Sequence, residues 1–429
     1  MRHISRHRQR GAVIVTVALL TLFLLGFIGF ALDFGKLFVV KGELQTAMDS
    51  CALAAAQELN SLPTAIDRAR SAGMTAGNLN AVNFQSTTWS GKGQLVATEI
   101  NFKNGSYNTT TNPVDAQYAQ CQHVQPGVQM WLMQALGAFS GDTAQFPNTR
   151  NVMASAVATR ASSQSSCPLP LALKPKTGST PPYWGYTAGE WVTLLMGAGA
   201  ATNGNIGWAN LDGSNNAAET EAEMNGKCGT KVGDHLGTPG VQASIADAWN
   251  YRFGIYKPTV SPAPTNHNPD FSGYAYTATN WPAQSNAYFG PTPTLTPATA
   301  TSENFQTKRA NFASCDDDGT HMRGGGGHSC ESITGLDLNS FQVVAEPGAT
   351  ALGGHHQYGR DRRTVVVPVV DGSNTVVDWS CMLMLQPLSI PLVDVQLEYI
   401  GPAGVAGSPC VTSGMPGGWS GPLVPQLVR

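Results

Sequence analysis

Residues Gly11–Leu32 read GAVIVTVALLTLFLLGFIGFAL, an apolar run without a charged residue. As an α-helix it extends about 33 Å, which matches a hydrocarbon core of roughly 30 Å. Arg2, His3, Arg6, His7, Arg8 and Arg10 precede it with no acidic residue among them, and Asp33 follows. A basic flank of this kind is held on the cytoplasmic side, so the long remainder of the chain is expected on the far side. Two other readings compete. A cleaved secretory signal needs a shorter apolar core and a small-x-small site, for which Gly29-Phe30-Ala31 is the nearest string. A buried helix of a soluble core has no use for the basic flank.

The helical pattern continues past Leu32. Leu37, Val40, Leu44, Ala47, Cys51 and Ala54 fall at alternating steps of three and four, which is one apolar stripe on a helix. Alanines in CALAAA favour the helix, and Pro63 predicts its end near Asn60. The stripe can pack against the chain's own folded domain or against helices of a partner.

The bulk composition agrees with an exported chain. Only 12% of residues are charged, whereas Gly (47) and Pro (27) abound, as in loop-rich, strand-rich exterior proteins. A net charge of −3 supplies no pull toward nucleic acid, and no nucleic-acid partner is expected. The 8 cysteines include no CxxC pair and read as disulfides in an oxidising space. Cys315 with Cys330, Cys381 with Cys410, and Cys167 with Cys228 are the candidate pairs; Cys51 and Cys121 remain, their state open. No G-x-S-x-G elbow, phosphate-binding loop or H-E-x-x-H is present, so no enzyme, catalytic residue, cofactor or metal is expected.

The segment from Arg10 carries further signals in combination: Arg10-Gly11-Ala12, the apolar span, Asp33 and Gly35, then Leu44, Gln45, Ala47, Asp49, Ala52, Leu53, Ala54, Ala55 and Ala56. This pattern resembles the N-terminal domain of TadG-like Flp (tight-adherence) pilus-assembly proteins. Gly207-Trp208, Asn225–Gly229, Arg363–Val370 and Cys381 resemble the exported region of that family more loosely. The resemblance implies an inner-membrane anchor, an exported C-terminal region, and pilus or secretion-apparatus proteins as partners. It supplies no catalytic residue. Two features depart from related patterns. Type IV-like prepilins place Glu five residues after the processing Gly, and here Thr16 follows Gly11. The metal site of von Willebrand A-type domains, D-x-S-x-S, is not completed by Asp212-Gly-Ser214-Asn-Asn216 or by Asp371-Gly-Ser373-Asn-Thr375.

Beyond the anchor the expected fold class is α+β and mainly antiparallel β. Residues 1–10 form a basic cytoplasmic end, 11–32 the span and 33–60 its periplasmic helical continuation. Residues 61–173 form an α+β part, and 174–429 a β-rich part with a Pro/Thr-rich surface segment at 257–298. A second helix is expected over Ser61–Ala81. Alternation predicts strands in QLVATEINF, YAQCQHVQP and NVMASAVATR, and at Glu190–Met196, Ile206–Leu211, Phe341–Ala345, Arg363–Val370, Thr375–Leu385 and Val393–Ile400. Short helices are expected at Ala217–Asn225 and Val241–Tyr251. Asp371-Gly372-Ser373 is a hairpin turn, and Pro368 places its strand at an edge or a bulge.

Three constellations invite a functional reading. Cys315, Asp316–Asp318, His321, His328 and Cys330 surround a tetraglycine and suggest a disulfide-closed loop more than a metal site. His355-His356 near Arg360, Arg362 and Arg363 suggests a cationic patch for an anionic partner, or a solvated loop. Aromatic residues over Tyr183–Trp191 and Tyr251–Phe289 suggest a carbohydrate platform, or ordinary core. The function expected is a structural or assembly component of an adhesive pilus system. An exported surface- or glycan-binding adhesin is the rival, and an exported hydrolase comes third.

Overall fold

In the computed structural model, residues 10–428 are described except 143, 145, 198–200, 239–242, 257–266, 292, 294–302, 314–350, 390, 406, 413 and 419. The chain forms two compact units: Met1–Arg160 with Pro425–Arg429, and Ala161–Val424. The sequence reading puts its boundary at 173/174 instead.

In the first unit, helix α1 (Arg10–Gln57) runs unbroken for 48 residues, about 72 Å at the α-helical rise. No proline interrupts it, and Ser61, with a positive φ, turns the chain before Pro63. Helix α2 (Ala65–Asn78) follows. Arg68 fixes the turn between them by donating to Glu58 Oε2 at 2.9 Å and Asn60 Oδ1 at 2.7 Å. Helix–helix approach here is set by small side chains. An added Cβ on Gly73 would lie 3.2 Å from Ala55 Cβ and 3.2 Å from Cys51 Sγ, and one on Gly77 would lie 3.2 Å from Cys51 Cβ.

Strands β1 (Ile100–Lys103), β2 (Tyr118–Gln129), β3 (Thr149–Ser162) and β10 (Leu423–Val428) form a four-stranded sheet in the order β1-β2-β3-β10. Antiparallel register pairs Cys121 with Ala156 and Ala119 with Ala158. Alternation along β3 turns Val152, Ala154, Ala156 and Ala158 inward, and these small residues share a core with Val40, Leu44, Ala47 and Cys51 of α1. A disulfide joins Cys51 to Cys121 and so staples the helix to β2. Of the two readings of the stripe, the structure shows packing against the chain's own sheet. Helix α3 (Trp131–Ser140), between β2 and β3, is absent from the sequence reading, which carries the sheet through this stretch.

The second unit is a closed barrel of strands β4 (Leu171–Leu173), β5 (Glu190–Leu194), β6 (Ile206–Trp208), β7 (Thr364–Val370), β8 (Val376–Met384) and β9 (Val395–Pro402), ordered β4-β6-β5-β9-β8-β7. Closure uses two parallel contacts, Leu173 with Val369 and Leu194 with Ile206. Val365, Val367 and Val369 join a core with Leu171, Leu397 and Trp249, while Val366 and Val370 join a second with Trp379 and Cys381. Both faces of β7 are therefore covered, which explains its continuous apolar run. Pro368 stands beside the register shift at Val369/Val370. The Asp371 carboxylate accepts the N–H of Ser373 at 2.8 Å and of Thr375 at 2.9 Å, which shapes the β7–β8 turn.

Helices α4 (Ala217–Met224) and α5 (Ala243–Tyr251) add Met224, Ile245 and Trp249 to the first barrel core. Disulfides Cys167–Cys228 and Cys381–Cys410 tie loops to the barrel. Cys315, Cys330 and strand Phe341–Ala345 lie outside the described residues. The expectation of a surface segment at 257–298 is corrected for 267–290. That stretch is irregular, yet Asn268, Asp270, Tyr274, Tyr276 and Trp281 are buried in it, because aromatic rings outweigh its turn-forming residues.

Candidate functional site

The site with the clearest construction in the first unit is the junction of α1 and α3. Helix α3 has the sequence WLMQALGAFS, and Met130 at its N-cap offers no side-chain acceptor. The first N–H groups of a helix have no partner within it. Here Asp33 of α1 supplies one. Its Oδ1 accepts the N–H of Trp131 at 3.0 Å, and its Oδ2 accepts those of Leu132 at 2.9 Å and Met133 at 2.7 Å. Asp33 is buried, and its negative charge faces the positive end of the α3 dipole. One carboxylate thus caps a helix that cannot cap itself.

The surroundings are apolar. Gly29, one turn before Asp33, makes room for α3: a Cβ there would lie 2.8 Å from Leu132 Cβ. A groove of ≈ 570 Å³ runs along the junction, lined by Leu32, Val39, Phe84, Trp131 and Leu132 with Asp33 and Lys36. Lys36 Nζ sits 4.3 Å from the Trp131 ring centroid and 5.6 Å from that of Phe84. Phe84 is held there by a second carboxylate of α1. Asn83, Phe84 and Gln85 all adopt positive φ, a strained run for residues with side chains. Glu43 fixes it by accepting the N–H of Phe84 at 2.8 Å and of Gln85 at 3.1 Å.

The remaining residues of the N-terminal pattern have structural work in the same unit. Gln45 donates to Asp49 Oδ1 at 2.8 Å and to the Ser155 carbonyl of β3 at 3.1 Å. Leu44, Ala47, Ala52, Ala55 and Ala56 are buried, whereas Leu53 and Ala54 are half-buried. Gly35 lies exposed on the groove, with open space where a Cβ would be. Arg10, Gly11 and Ala12 begin α1. Gly11 to Leu32 is the apolar half of the helix: it is long and apolar enough to cross a membrane, and Leu22, Phe23 and Phe27 stand more than half exposed.

The second unit answers the other readings. Asp212, Ser214, Glu219, Glu223 and Lys227 form a polar network. Ser214 N–H donates to Asp212 Oδ1 at 3.0 Å, Lys227 Nζ to Asp212 Oδ2 at 3.0 Å, and Leu211 N–H to Glu223 Oε1 at 2.9 Å. The Ser214 N–H and the Lys227 ammonium hold Asp212 down at about 2. Burial pushes Glu223 up to about 7. The network organises a turn, and among the described residues no cluster of His, Cys, Asp and Glu is placed to hold a metal ion.

The cationic patch loses two of its five members to the core, while His356 and Arg360 are exposed and Arg362 is half-buried. Arg363 is fully buried and donates to the carbonyls of Met384, Ser272 and Tyr274, with its guanidinium 4.2 Å from the Phe253 centroid. His355 is buried, with Nδ1 2.7 Å from the Asp270 carbonyl. Of the aromatic residues considered for a platform, Tyr186, Tyr256, Tyr274, Tyr276 and Trp281 are core residues, whereas Tyr183 and Phe289 are exposed. Tyr276 meets Tyr274 and Trp281 edge to face. Sequence reasoning missed Glu43, Lys36 and Trp131 as partners in one site. The basic residue just beyond an apolar span, followed much later by a tryptophan-led apolar segment, was the available signal.

Residues 11–58 match the model of a family described as putative Flp pilus-assembly TadE/G-like. The match covers the N-terminal helix alone, so the likeness to TadE/G-like Flp pilus-assembly proteins is a property of this segment. No curated protein and no solved structure matches the chain.

Proposed function

We propose that this chain is a membrane-anchored, exported component of a Flp pilus-assembly system, acting as a structural or assembly protein and not as an enzyme. The observation that carries the reading is the division of α1. Its first half is apolar on every side and has little protein around it, while its second half is the core of a folded unit. A helix of that kind is an anchor continuous with a domain. The arginines before Gly11 favour a cytoplasmic N-terminus with residues 33–429 on the periplasmic or outer face of the inner membrane. Disulfides Cys51–Cys121, Cys167–Cys228 and Cys381–Cys410 favour the same oxidising side. Partners on this reading are pilus or secretion-apparatus proteins.

Reporter fusions at the C-terminus test the topology. A periplasm-dependent reporter is expected to be active and a cytoplasm-dependent one silent; the reverse pattern overturns the reading. Deletion of the gene is expected to abolish surface pili. Intact pili together with glycan binding by the purified chain would favour the adhesin instead.

A further inference from the structure

We propose that α3 is a second membrane-contacting element, seated in the interfacial layer of the bilayer beside α1, with phospholipid as the occupant of the α1–α3 groove. This rests on α1 being the membrane span. Its depth is the first argument. Leu132 packs on Gly29, one turn inside the apolar run, and the α3 amides meet Asp33 at the end of that run. The start of α3 therefore lies at the level where the span leaves the hydrocarbon.

Composition is the second argument. Trp131–Ser140 holds no charged residue. Trp131 is 71% exposed and Leu132 38%, and the exposed Leu32 and Val39 of α1 line the same groove. In water this is a costly apolar patch, and it adjoins the end of the span at Ala31 and Leu32. Backbone chemistry is the third argument. A helix can begin in a poorly hydrated layer only if its free N–H groups are satisfied, and Asp33 satisfies those of Trp131, Leu132 and Met133. Lys36 against the Trp131 ring completes an aromatic–cation pair of the type that sits at headgroup level.

The test uses the full chain in phosphatidylcholine vesicles whose acyl chains carry bromine near the headgroup. Among the described tryptophans Trp131 is the exposed one, so it should dominate contact quenching. Bromolipid is expected to quench the wild type, and Trp131→Phe is expected to lose most of that quenching. Trp184→Phe, in the second unit, should change nothing. A second measurement guards against misfolding of the Trp131 variant. Wild-type amides of Trp131–Met133 should exchange more slowly in vesicles than in a short-chain detergent. Carbonate extraction separates the two layers of the argument. A chain that stays in the membrane while its quenching is indifferent to Trp131→Phe overturns the proposal alone. A chain released by carbonate overturns the anchor reading as well. Protection of the groove only when a pilus protein is added assigns it to a protein partner and also overturns the proposal.

Discussion

The two units differ in how much charge they bury: the first buries few polar side chains, Asp33, His123 and Gln125 among them. The first is built from small apolar residues, with Ala47, Ala52, Ala55 and Ala56 against Ala154, Ala156 and Ala158. The second wraps charged groups inside its layers: Arg363, Arg252, Asp270, Glu223 and Glu398 are all buried. Small residues allow a helix to lie close on a sheet and demand little beyond fit. Buried charges demand that each polar atom be met, as the Glu398 carboxylate is by Trp191 Nε1 at 3.0 Å and Tyr288 N–H at 3.0 Å. The first unit should therefore be sensitive to volume and cross-links, and the second to charge and pH.

The comparison breaks or sharpens under substitution. Arg363→Ala leaves the carbonyls of Met384, Ser272 and Tyr274 without their donor and opens a cavity, for a loss of about 5 kcal/mol in the second unit. Urea unfolding followed by hydrogen exchange resolved to each unit measures it; equal loss in the first unit would dissolve the contrast. Replacing Cys51 and Cys121 together by Ser removes a staple spanning a sequence separation of 70. That should cost the first unit about 4 kcal/mol in the chain-entropy model. Asp33→Ala strips α3 of its cap and should cost about 2 kcal/mol, read as faster exchange of the Trp131–Met133 amides with the barrel unchanged.

The smallest effect is that of pH. Burial raises Glu398 and Glu223 to about 7 in the fold, above the ordinary value of 4.5. Between those values the native state holds more protons than the unfolded chain, so stability falls as pH rises. Each carboxyl should remove on the order of 1 kcal/mol between about pH 5 and pH 8. A thermal melt of the barrel should shift down across that window, and Glu398→Gln should flatten the shift.

Much of the first unit was legible because its signals are local. The uncharged run after Arg10 gave α1, the stripe through Leu44 and Cys51 gave its buried face, and alternation gave β2 and β3. Helix α3 escaped because its cap is 98 residues distant, at Asp33, and its own flanks carry no Ser, Thr, Asp or Asn in the N-cap place. The pairing of Cys51 with Cys121 stayed open because spacing says nothing about which strand a helix will cover. In the second unit the long hairpin of β7 and β8 was readable, and the barrel was not. Strands β4 and β6 are Leu-Ala-Leu and Ile-Gly-Trp, too short for periodicity, and closure rests on contacts such as Leu173 with Val369. Arg363 looked like surface because charge usually is; only the carbonyls gathered around it reveal otherwise.

The Cys51–Cys121 bond has a mechanical consequence. Pull on the anchor along the axis of α1, and the load enters the sheet through a covalent link at the middle strand pair. The chain between these cysteines carries none of that tension. Extension of the protein under force should therefore stop short by the contour of that loop in oxidising buffer and recover it after reduction.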